Sequence, residues 1–91
     1  MTLHDAAKQY LVYLYARGGY CISYWQAASA LRHLLLCTGN RPLAEVRQRH
    51  FLMYFTVVVS EQARVSLDET RRRSRVSQSF LHWMIKNGMV R

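Results

Sequence analysis

The stretch "DETRRRSRVSQSFLHWM", residues 68–84, places four arginines within five residues and then runs directly into Phe80, Trp83 and Met84. On a helix, at about 100° per residue, Val76, Phe80, Trp83 and Met84 gather on one side. Arg71, Arg75, Gln78, His82 and Lys86 gather on the other, with Arg72 flanking them. Arg73 projects toward the apolar side, so it must lie beyond the end of the core or reach past it with its stem. Ser66 and Glu69 form a capping box before the stretch and Gly88 is a stop after it, which predicts a helix over 67–87. Three members of the basic stripe lack an acidic partner four residues away, which a merely solvated helix tends to supply.

Three earlier segments share this helical period, separated by the joints "RGGY" (17–20), "TGNRP" (38–42) and "SEQARVS" (60–66). The first helix is predicted over 3–17, capped by Thr2 with Asp5, carrying Leu3, Ala7, Tyr10, Leu11 and Leu14 inward and stopped by Gly18 and Gly19. The second is predicted over 23–37 from the Ser23/Gln26 start. Its buried stripe is Tyr24, Ala27, Ala28, Leu31, Leu34 and Leu35, and its outer side is Ser23, Gln26, Ser29, Ala30 and His33. The third is predicted over 48–60 with Phe51, Leu52, Phe55 and Val59 inward. Nothing alternates at period two; "TVVV" (56–59) favours strand but continues a helical pattern. The expected fold is a single all-α, four-helix bundle.

The chain has 91 residues and a net charge of +8. That length suits one domain with a modest core. The charge is uneven: residues 1–16 are neutral, 17–49 carry five arginines against Glu45, and 64–91 carry seven basic groups against Asp68 and Glu69. Eleven of the thirteen basic residues are Arg, the side chain suited to bidentate phosphate or base-edge contacts. A small domain this basic points to a polyanion, and nucleic acid is the expected partner. No run of about 18 apolar residues marks a membrane span, and the first ten residues do not read as a secretory signal. Cys21 and Cys37 are expected as reduced thiols in a cytoplasmic protein.

Chemistry of other kinds finds no constellation. His4, His33, His50 and His82 lack metal-ligand spacing, so neither metal nor cofactor is expected. The six tyrosines fall mostly in packing stripes without an activating partner. Five dispersed acids offer no paired-carboxylate site, and the glycines at 18–19 read as a helix stop rather than a phosphate loop. No enzyme activity is expected on this chain.

Several of these segments resemble the N-terminal core-binding (SAM-like) domain of tyrosine recombinases, the phage integrase and Xer-type enzymes. "SYWQAASALRHLL" (23–35) supplies Ser23, Leu31 and Leu34 at the family spacing and departs at Ala27, where the family has Tyr. "RPLAEVR" (41–47) resembles the family's lead-in to its third helix. "TRRRSRVSQSFLHWMIKNGMV" (70–90) supplies Arg72, Phe80, Trp83 and Gly88, with Ser74 and Ser77 where the family is apolar. The resemblance spans essentially the whole chain. It implies half of a C-shaped clamp on double-stranded DNA, with the second and fourth helices toward the major groove and the first and third behind them. It also implies a separate catalytic domain, a longer parent enzyme for site-specific recombination and integration, and other recombinase protomers as partners, the isolated domain being a monomer. Two rivals stay open: a helix-turn-helix regulator, which needs a short sharp turn, and a helical module that meets an acidic protein or membrane surface.

The residues expected on DNA are Arg71, Arg72, Arg73 and Arg75, with Thr70 and Lys86 on the same helix. Phosphate contact is expected over base readout. Ser23 has two roles open, a plain cap or a phosphate donor at a helix start; Gln26 is either its capping partner or an adenine reader. Arg32 and His33 border the outer face of the second helix, and Trp25 sits at its rim, covering a core edge or packing on sugar or a partner helix.

Overall fold

A computed structural model describes residues 1–18, 22–61 and 63–90, with side chains at all of these but 18, 22 and 23. Four helices follow in chain order: α1 Leu3–Gly18, α2 Ile22–Thr38, α3 Gln48–Ser60 and α4 Leu67–Lys86, with a 3₁₀ turn at Leu43–Glu45. The described residues contain no strand, and the fold is the expected all-α four-helix bundle. No helix among them is long and apolar enough to cross a membrane. The expected stop at Gly19, Cys21 and the side chain of Ser23 lie outside the described residues.

The local signals sit where their chemistry requires. Asp5 accepts from the Thr2 N–H (3.0 Å) and hydroxyl (3.2 Å), and these bonds hold its carboxyl below the usual range. At α4, the Ser66 hydroxyl accepts from the Glu69 N–H (3.1 Å), but only this half of the expected capping box forms, because the Glu69 carboxylate turns to Arg72 and Arg73. The far end of α4 closes on Gly88 at φ +70°, with Met89 N–H reaching back to the Met84 carbonyl (2.9 Å). Met89 and Val90 then turn onto the core.

The core joins Leu3, Ala6, Ala7 and Tyr10 of α1 to Leu31 and Leu34 of α2, Phe51, Tyr54 and Val58 of α3, and Phe80 and Met84 of α4. An aromatic seam of Tyr10, Phe80 and Trp83, with centroids 5.3–6.3 Å apart, locks α1 to α4. The start of α1 is pinned to the α2–α3 connection: Leu3 N–H donates to the Arg41 carbonyl (2.8 Å), Leu43 N–H to Met1 (2.9 Å), and His4 N–H to Asn40 Oδ1 (3.0 Å).

Two faces differ from expectation. On α3 the inward residues are Phe51, Tyr54 and Val58, while Leu52 and Val59 are 66% and 59% exposed. That helix is apolar almost all round, so its pattern does not define a face. The hydroxyl of Tyr54 finds His33 Nδ1 at 2.8 Å, which lets the phenol be buried. On α2, Ala30 is buried and His33 half-buried rather than outward, because α1, α3 and α4 all pack against this helix.

Candidate nucleic-acid interface

The four clustered arginines of α4 divide into two pairs. Arg71 and Arg75 are exposed, one turn apart, and make no ion pair among the described residues. Gln78, His82 and Lys86 continue the same exposed stripe to the end of the helix. Arg72 and Arg73 instead share Glu69: Arg72 Nη1 meets Oε2 at 2.6 Å and Arg73 Nε meets Oε1 at 3.1 Å. Arg73 also reaches Glu61 at 3.6 Å, and its side chain is only 17% exposed.

Glu61 extends this inner network. Its Oε2 lies 3.4 Å from His33 Nε2, while His33 Nδ1 meets the Tyr54 hydroxyl. Burial pushes the Tyr54 phenol up to about 12. Ser77 is fully buried, and no partner meets hydrogen-bond geometry at its Oγ. Cys37 Sγ lies 3.8 Å from His33 Nε2, but burial and the Glu61 carboxylate raise its thiol above the usual value. This pair is therefore no activated nucleophile.

Of the residues expected on DNA, the structure brings Arg71, Arg75 and Lys86 onto one open face. Thr70 is buried, its hydroxyl donating to the Ser66 carbonyl (3.1 Å), and so belongs to the first turn of α4. Arg72, Arg73 and His33 are engaged inside the protein by the ion pairs and hydrogen bonds above. Arg32 is exposed but stands beside His4, Leu35 and Asn40, over the start of α1. Gln26 is half-buried, and Ser23 carries no described side chain. Trp25 is 55% exposed, edge-on to Tyr24, which is edge-on to Tyr15.

One contributor escaped the sequence reading. A groove between α1 and α4 brings Tyr13 and Arg17 opposite His82, Trp83 and Lys86. Arg17 Nη1 donates to the Tyr13 hydroxyl (2.9 Å) with its guanidinium 5.4 Å from the ring centroid, and the Tyr13 ring lies 5.9 Å from Trp83. The groove thus adds a fourth cation and an aromatic wall to the stripe. Its local signal was the Tyr13/Arg17 spacing of four on α1, but only the helix packing sets that pair against α4.

No protein-family model matches the chain, and neither a curated protein nor a solved structure matches it.

Proposed function

We propose that this domain binds double-stranded DNA through the outer stripe of α4 and the adjoining end of α1, with Arg71, Arg75, Lys86 and Arg17 on backbone phosphates. The observation that carries the reading is the pairing pattern. Two of the four clustered arginines are held by Glu69 and Glu61, and the two on the outer face are left open. From Arg71 to Lys86 the stripe runs about 22 Å along the axis. The major groove is about 12 Å wide, so the helix can contact both of its phosphate walls. The net charge of +8 adds long-range attraction.

The resemblance to core-binding domains of tyrosine recombinases supplies the finer reading. The domain would position a catalytic domain on a recombination site in the cytoplasm, alongside other protomers, and perform no chemistry itself. The connections 39–47 and 61–66 are longer than the three- to four-residue turn of a helix-turn-helix, so neither α2–α3 nor α3–α4 forms that motif.

An NMR titration with a short duplex at two salt concentrations tests the proposal. The expected result is weak, salt-sensitive binding, on the order of 10⁻⁴–10⁻⁶ M, with shifts at 71, 75, 78, 82, 86 and 17. Silence of these residues at low salt, or a preference for anionic vesicles over duplex, would reject it.

A further inference from the structure

A second cluster of arginines lies on different elements, around the 3₁₀ turn and the start of α3. Arg41, Arg47, Arg49 and His50 line an open depression of about 390 Å³, with Glu45 at its edge. Two of the guanidinium groups are tethered. Arg41 Nε donates to the Thr38 carbonyl (3.0 Å), and Arg47 Nη1 to the carbonyls of Ala44 (2.6 Å) and Val46 (3.0 Å). His50 Nδ1 accepts the Arg47 N–H at 2.9 Å, which leaves the proton of the neutral ring on Nε2 as a further donor. Burial, then the charges of Arg41 and Arg49, hold the imidazole below its ordinary value, so the cluster feels its own positive potential. None of the three arginines has a carboxylate within ion-pair distance among the described residues, Glu45 included.

Three like charges around one depression repel one another, and tethering two of them to carbonyls keeps them from spreading apart. Guanidinium forks match a tetrahedral oxyanion with several acceptor oxygens. We propose that this depression is a phosphate-binding site, with Arg41, Arg47, Arg49 and the His50 Nε2–H as its donors. It shares no residue with the α4–α1 face and does not depend on that face binding DNA. Its occupant is a phosphate group, either free or on a second stretch of nucleic-acid backbone.

The test is an NMR titration of the full chain with inorganic phosphate, against chloride at equal ionic strength, and separately with a short duplex. Phosphate should give saturable shifts at Arg41, Arg47, Arg49 and His50 and raise the midpoint of the His50 titration. Arg49→Glu should abolish both. The Arg49 side chain is exposed and makes no internal hydrogen bond or ion pair among the described residues, so this variant keeps its fold, which circular dichroism checks. Duplex-induced shifts at these positions that persist in Arg71→Ala/Arg75→Ala would identify backbone phosphate as the occupant. Shifts with inorganic phosphate alone would identify a free one. Silence in both titrations, or equal shifts in Arg49→Glu, would overturn the proposal. The shifts are read residue by residue, at 41, 47, 49 and 50 for the depression and at 71, 75, 86 and 17 for the α4 stripe, so the two sites fail separately.

Discussion

Arg71 and Arg75 differ from Arg72 and Arg73 in nothing but angle. All four lie within little more than one turn of α4, yet one pair is exposed and unpaired and the other is bound to Glu69, with Arg73 reaching Glu61 as well. A shift of one residue carries a side chain about 100° round the helix, which separates a solvent face from the edge of the core. The two carboxylates are spent on the inner pair. A charge cluster that looks uniform in sequence is thus two devices: an ionic clasp that ties α4 to the end of α3, and a free cationic face.

That contrast can be attacked from the inside outward. Phe80→Ala, on the buried face, should cost about 3–5 kcal/mol by denaturant unfolding, whereas His82→Ala on the outer stripe should stay within about 0.5 kcal/mol. Similar losses at both would mean α4 does not have two faces. Next in size is Arg73→Ala, which strips Glu61 and Glu69 of a half-buried partner and should cost about 1–2 kcal/mol. Arg71→Ala should fall within the noise of a surface change; equal costs at 71 and 73 would break the comparison outright.

Smaller effects sharpen it. Ser66→Ala removes the cap of α4 and should cost about 1 kcal/mol. Ser77→Ala removes a buried hydroxyl without a hydrogen-bond partner and should be neutral or stabilising by up to about 1 kcal/mol. A clear loss in Ser77→Ala would show that the hydroxyl has a partner after all. The inner network also predicts a pH signature. Burial raises the folded Tyr54 phenol to about 12, above the ordinary range of a tyrosine. Its contribution is therefore complete below pH 10 and is lost as pH rises through about 12. Tyr54→Phe should remove that part of the alkaline decline in stability, and an unchanged decline would place its origin elsewhere.

These same residues show what was legible in the sequence. Helix ends were, because their causes are local: Thr2 with Asp5, Ser66 with Glu69, and Gly88 each act within a few residues. The outer stripe of α4 was legible because charged and apolar residues alternate cleanly at helical period there. The face of α3 was not, since Leu52, Met53 and Val59 are as apolar as the residues that are buried. Arg73 could be seen to point inward, but its second partner, Glu61, comes from the preceding joint. His33 read as an outer residue because its partner Tyr54 lies 21 residues away. Arg17 was overlooked for the same reason: only the packing of α1 on α4 sets it beside Lys86.

The most direct measurement is the salt dependence of duplex binding for the native chain and for Arg71→Ala/Arg75→Ala. With four cations on phosphate, the native log–log slope should be about −3.6, and the double variant should halve it to about −1.8 with no loss of stability. A slope that stays at the native value would contradict the assignment of the outer stripe to DNA, whatever else the basic surface binds.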